Sequence, residues 1–332
     1  MGRGLKREEV LRITGITRHQ LYYRTTGGKA GRPPSETTRK RDRGSGLIVR
    51  IDNADVVARI RHYRCDPDHA HYYKSITVSL CLEGFYINHK KVYRLMKAAQ
   101  LLQPARRAEG RNFVKFRRVC PLRPLRILEM DIKYYWVEDT GRYAFVLTIL
   151  DTFTRYVLAW LVGYEMRQQQ VRQCWEYVIA NYLQGLDLRE EGGVHIEVRN
   201  DNGKQFSAKM VQEFFAQNYL EQVFTHPYTP EENGHVESFH KTIGKATVDE
   251  RFATLDQLEA RLRVFYTNYN NLRLHGSIAM LSPAYFWALF EQGLIEVTEK
   301  GKRRLRFKLK IPYQQVRDQP DIEKYFQLPA QL

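Results

Sequence analysis

Cysteine is scarce in this chain. Four occur in 332 residues, Cys65, Cys81, Cys120 and Cys174, and no two stand as Cys-x-x-Cys. That excludes a zinc ribbon and a dithiol redox motif, and it leaves reduced structural thiols. Cys65, His69, His71 and Cys81 lie close in sequence but match no standard zinc-ligand spacing. Long apolar runs are missing too. No segment approaches the roughly 20 residues needed to span a bilayer. The start, Met1-Gly-Arg-Gly-Leu-Lys-Arg-Glu-Glu, lacks the apolar stretch of a signal peptide. The expectation is a cytoplasmic protein with no membrane partner.

Acidic residues are scarce in one part only. Residues 1–126 carry 29 Lys/Arg against 10 Asp/Glu, and residues 127–332 carry 24 against 27. The whole excess behind the net charge of +16 therefore lies ahead of residue 127. Such asymmetry points to a nucleic-acid-binding N-terminal part joined to a different C-terminal part. What the chain does have is core material: 16 Phe, 21 Tyr and 4 Trp.

The basic part divides by composition. Residues 1–26 read as a helix-turn-helix broken at Gly15, with Thr17 as N-cap and Arg18, His19, Gln20 and Arg24 placed to face DNA. Residues 27–48 read as a basic Gly/Pro linker, in which Arg32 of Gly31-Arg32-Pro33-Pro34 is similar to a minor-groove hook. Residues 49–104 read as a helical DNA-binding domain. Asn88 caps its last helix, Val92, Leu95 and Met96 turn inward, and Lys90, Lys91, Arg94 and Lys97 turn outward. Residues 105–126 form a basic connector with Phe113 and Phe116 interleaved.

From residue 127 the pattern changes to alternating strands and helices. Residues 127–136 have a strand period, with Leu128, Met130, Ile132 and Tyr134 on one face and Glu129, Asp131 and Lys133 on the other. The order β-β-β-α-β-α-β-α predicts a mixed-sheet α/β domain over 127–292. Residues 293–332 read as a small basic β-rich tail, with Lys308 and Lys310 alternating with Phe307, Leu309 and Ile311.

Three carboxylates stand out. Asp131 lies in the first strand, Asp201 ends the fourth, and Glu237 follows after thirty-five intervening residues. Three converging carboxylates can hold two divalent cations about 3.5–4 Å apart for in-line attack at phosphorus. Glu129 shares a strand face with Asp131 and is its rival; Asp139 and Asp151 suit turns. Thr229-Pro230-Glu231-Glu232 reads as a capping box ahead of the helix that carries Glu237, His240, Lys241 and Lys245 on one face.

These residues resemble the retroviral-integrase-type DDE transposases of bacterial insertion sequences, closest to the group of insertion sequence three and its single-frame relatives. The resemblance rests on the strand of Asp131, Leu150-Asp151-Thr-Phe-Thr-Arg155-Tyr, and Asn200-Asp201-Asn202-Gly203 with Phe206. It rests also on Thr229-Pro230 through Glu237 and on Tyr269-Asn270-Asn271-x-Arg273-x-His275 with Pro283, and it covers residues 50–290. It implies a ribonuclease-H-like core with Asp131, Asp201 and Glu237 as ligands of two Mg²⁺ ions, Mn²⁺ substituting. It also implies cleavage of transposon ends, strand transfer to target DNA, and a homo-oligomer of at least two chains on double-stranded DNA in a bacterial nucleoid. His240, Lys241, Lys245, Arg273 and His275 join the candidate DNA contacts. The sequence departs from many relatives in having Gly244 where they carry a Lys or Arg seven residues after the catalytic Glu. The rival readings are a DNA-binding regulator without catalysis and a nuclease that does not join.

Overall fold

The computed structural model describes residues 6–22, 34–69, 71–102, 119–188, 193–225, 233–300, 305–326 and 330–331. The chain divides into two units, Met1–Thr37 and Thr38–Leu332. The first holds two short helices, α1 (Arg7–Thr14) and α2 (Arg18–Tyr22), neither with a buried residue. Thr17 caps α2 as expected: Gln20 N–H donates to its hydroxyl at 3.3 Å, and Thr17 N–H donates to Gln20 Oε1 at 2.8 Å. Arg24 and Arg32 lie outside the described residues.

Part of the expected linker is strand. β1 (Thr37–Arg41) is flanked by β2 (Ile48–Asp52) and β3 (Phe85–Tyr86) in a three-stranded sheet. Thr37 and Thr38 are β-branched, and the basic side chains that suggested a tether lie over rings instead. Arg39 sits 5.7 Å from the Tyr86 centroid and Lys40 4.6 Å from that of Phe85. Against this sheet pack α3 (Asn53–Cys65), α4 (Tyr73–Leu82) and α5 (His89–Ala98), around Val56, Ile60, Ile76, Leu80, Val92 and Met96. Asn88 caps α5 by accepting from Lys91 N–H at 2.9 Å.

The larger sheet uses β4 (Ile127–Val137), β5 (Arg142–Asp151), β6 (Val157–Gly163), β7 (Ile196–Asn200), β8 (Leu220–Phe224) and the short β11 (Ala330–Gln331). Its order is β11-β6-β5-β4-β7-β8. β4, β5 and β6 are antiparallel, whereas β7 runs parallel to β4 and β8 parallel to β7. Helices α6 (Gln168–Val178), continued by a π turn, and α7 (Lys209–Gln217) connect the last three main strands. An antiparallel trio followed by two parallel strands with helical crossovers is the ribonuclease-H-like arrangement expected.

Both faces of the sheet are covered. Leu128, Met130 and Ile132 share one core with Val171, Trp175, Val211 and Phe215 of α6 and α7. On the other face lie α8 (Gly234–Ala246) and α9 (Leu255–Asn271), whose Phe239, Ile243, Phe265 and Tyr266 meet Tyr135, Val146 and Trp160. The polar face of β4 therefore lies beneath α8 rather than in water, and Tyr134, on the same strand face as Leu128, Met130 and Ile132, is exposed. α10 (Pro283–Glu291) follows, then the hairpin of β9 (Ile295–Glu299) and β10 (Leu305–Leu309). Phe307 anchors the hairpin, with ring centroids 5.3 Å from Phe153 and 4.9 Å from Phe286.

Candidate active site

Strand register brings the first two carboxylates together. β4 and β7 pair from Ile127↔Glu197 to Glu129↔Arg199. Carried two residues further, that register sets Asp131 level with Asp201 at the end of β7. The sequence around Asp201 holds it there. Buried Asn200 accepts from Gln222 Nε2 at 3.0 Å, and Asn202 Nδ2 donates to Thr225 O at 2.9 Å. Gly203 N–H donates to Asp201 Oδ1 at 3.0 Å, and a Cβ on Gly203 would sit as close to that same oxygen, so a side chain there would crowd the carboxylate.

The third carboxylate arrives on α8, and a fourth fixes that helix. Glu129 is fully buried; its Oε2 accepts from the N–H groups of His235 and Val236, both at 2.8 Å, and its Oε1 lies 2.7 Å from His235 Nδ1. It thus satisfies orphan donors at the N-terminus of α8, where negative charge is also favoured by the helix dipole. Asn233, at the N-cap position, uses its side chain otherwise, donating to Met130 O at 3.3 Å. The capping box expected at Thr229–Glu232 lies outside the described residues. One turn into α8, His240 Nδ1 stands 3.3 Å from Asp131 Oδ2, while Asp131 Oδ1 accepts from its neighbour Ile132 N–H at 2.8 Å. Glu237 precedes His240 by three residues on the same helix and pairs with Lys241 at 3.9 Å.

The site is electrostatically loaded. Burial pushes the Asp201 carboxyl up, the Gly203 N–H opposes this, and the charge of Asp131 pushes it up further. A divalent cation between the two acids would relieve that repulsion, and hard carboxylate oxygens suit Mg²⁺. Asp131 and Asp201 fit such an ion. Among the described residues, however, no three His, Cys, Asp or Glu side chains close into a metal-holding group. The structure brings Asp131 near Asp201, and Glu237 lies on the helix that Glu129 and His240 hold against β4.

Residues 121–230 match the Integrase core domain family, and residues 218–283 match a second family of that description. A 39.2 kDa protein of insertion element IS476 from Xanthomonas euvesicatoria is 27% identical over 61% of this chain and 56% of its own length. A 31.7 kDa protein of insertion element IS407 from Burkholderia multivorans is 23% identical over 69% of this chain and 86% of its own. The transposase for insertion sequence element IS904 from Lactococcus lactis is 27% identical over 41% and 52%. Residues 121–283 thus match integrase core models, and the relatives named above come from insertion elements.

The other candidate contacts divide. Lys90, Arg94 and Lys97 are exposed on α5, Lys91 is half-buried, Lys241 and Lys245 are exposed on α8, and Arg18, His19 and Gln20 are exposed on α2. Arg273 and His275 turn inward instead. Arg273 donates to the carbonyls of Asp68 at 2.6 Å and His69 at 3.2 Å. His275 has its Nε2 buried, and burial pushes its imidazole down to about 3. In the same run, Asn270 clamps the edge of the integrase core sheet, accepting from Val157 N–H and donating to Val157 O, both at 2.9 Å. Asp151 is an internal turn acid, accepting from Leu125 N–H and from the Thr154 backbone and hydroxyl. Sequence reasoning missed the roles of Glu129, Asn270 and Asp68. Glu129 left a signal, an acid at the same strand parity as Asp131, and Asn270 stands in the Tyr269–His275 run, whereas Asp68 left none.

Proposed function

We propose that this chain is a DNA transposase that binds the ends of a mobile element, hydrolyses a phosphodiester there, and joins the freed 3′-hydroxyl to a second DNA. The observation that carries the reading is the nearness of Asp131, within β4, to Asp201, just past the end of the neighbouring β7, under a helix that Glu129 and His240 fasten to β4. Asp131, Asp201 and Glu237 would hold Mg²⁺. When bound, the metal supplies Lewis acidity and charge stabilisation at the reacting phosphorus. The protein supplies orientation: His240 fixes one Asp131 oxygen, Gly203 fixes one Asp201 oxygen, and Glu237 lies in the first turn of α8, one turn before His240. The exposed cations of α5 and α8 would neutralise backbone phosphates of double-stranded DNA, as the charge asymmetry suggests. Work on two ends calls for at least two chains.

The test uses the full chain, Mg²⁺ and duplexes bearing the repeats that flank its gene. Asp131→Asn, Asp201→Asn and Glu237→Gln are each expected to lose cleavage and joining while keeping end binding. Full activity in any one of them removes that residue from the site. A parent protein that binds ends but never breaks a strand is instead the regulator without catalysis, and one that cuts but never joins is a nuclease.

A further inference from the structure

We propose that Lys133 is the active-site cation that grips a DNA phosphate next to the reacting one, and that the missing side chain at Gly244 gives it room to do so. This rests on the transposase reading above. Three residues alternate on the face of β4 beneath α8: Glu129, Asp131 and Lys133. Glu129 caps the helix and Asp131 meets His240. Lys133 is the next step along, and Gly244 is the next turn of α8 after His240. A Cβ built on Gly244 would lie 3.5 Å from Lys133 Nζ and 3.9 Å from its Cε. The ammonium thus lies against the place where a side chain at position 244 would begin.

Three observations turn this contact into a site. First, Lys133 lies two residues past Asp131 on the same face of β4, and the charge of Asp131 acts on it. Second, it is half-buried, and among the described residues no carboxylate forms an ion pair with it. Lys241, the cation nearest Glu237 in sequence, is exposed and already paired with that residue. Third, its other neighbour is the Tyr135 ring, 5.5 Å away, which takes the side of the ammonium but offers no anion. A compact ammonium held near Asp131 but not locked in an ion pair with it fits a phosphodiester oxygen. The alternative is a lysine whose stem only packs on Tyr135.

Three variants separate these possibilities in the full chain with Mg²⁺ and end duplex. Lys133→Gln is expected to raise the KM for DNA about tenfold and to lower the slope of affinity against salt by about one. Lys133→Gln with Gly244→Lys, which returns an ammonium from the helix side, is expected to recover both. Gly244→Met alone, which crowds Nζ without touching the lysine, is expected to mimic the loss. The proposal is overturned if Lys133→Gln keeps the parental KM and salt slope. It is overturned equally if the double variant melts like the parent yet regains neither, or if Gly244→Met binds and joins as the parent does. Persisting cleavage in Asp131→Asn would sink the transposase reading itself. An inactive Asp131→Asn beside an unaltered Lys133→Gln sinks only the lysine.

Discussion

Glu129 and Asp131 are acids two residues apart on one strand face, and their surroundings give them different work. Asp131 is partly open and faces His240. Glu129 is sealed and accepts from two backbone N–H groups and a histidine. The pattern of β4 put both on one side, but nothing local could rank them, because the difference is made by α8, more than a hundred residues later. The two roles predict different losses. Glu129→Ala leaves the N-terminus of α8 with buried donors unmet and is expected to cost about 2–4 kcal/mol of stability. Activity should fall with the melting temperature, and DNA ends should still be bound by the fraction that folds. Asp131→Asn should lose activity with little change in melting temperature. Calorimetry and a cleavage assay on the same two variants decide the matter. A Glu129→Ala protein that melts like the parent but cannot cut would make Glu129 the metal ligand.

At the scale of elements, the strands were legible because their apolar residues alternate and their ends carry turn residues. The hairpin at Glu138-Asp139-Thr140-Gly141 joins β4 to β5 as expected, with Gly141 at φ +58°. The run from Tyr269 to His275 was misread for a physical reason. Polar residues just past a helix look like surface contacts when the packing around them is unknown. In the fold they meet the loop between α3 and α4. Here His69 stacks on Tyr63 at 4.5 Å and lies 2.9 Å from Ser79 Oγ, and burial pushes its imidazole down to about 4. Arg273 reaches this loop, and His275 lies 4.8 Å from the Tyr269 ring. Both histidines are held neutral below their ordinary 6.5, so the unfolded chain takes up protons that the folded chain refuses. Stability from them is complete above pH 6.5 and is lost as pH falls toward 4. The loss is on the order of 3 kcal/mol for His69. Melting temperature should therefore drop steeply over that interval, and His69→Gln should flatten the drop. An equally steep fall in His69→Gln would assign the acid sensitivity to other groups.

At the scale of the molecule, the charge asymmetry announced two different halves but not how they are fastened. The fastening is acidic on the basic side. Asp68, 5% exposed, accepts from Arg261 Nη2 at 2.7 Å, Arg261 Nη1 at 3.2 Å and Asn268 Nδ2 at 3.0 Å. Arg261 also reaches Glu250 Oε1 at 2.9 Å. One of the few acids in the first 126 residues is thus sunk against α9. A search for basic patches passes over it, since its partners lie about 190–200 residues away in sequence and no local pattern links them. The bridge joins the helical region of residues 53–98 to the integrase core, so one element should not open without loosening the other. Arg261→Met would leave the buried Asp68 carboxylate with Asn268 and the nearby Arg273 charge, at a cost of about 3 kcal/mol. That loss should fall on the junction rather than on either core. Hydrogen exchange is therefore expected to accelerate first in α3 and α4, with β4 and β5 still protected, and the single thermal transition should broaden or split. Uniform acceleration across both regions would mean that they unfold as one body and that the bridge is merely one contact among many. If the split appears, activity assays on the same variant can ask whether the proposed reaction needs residues 53–98 held against α9.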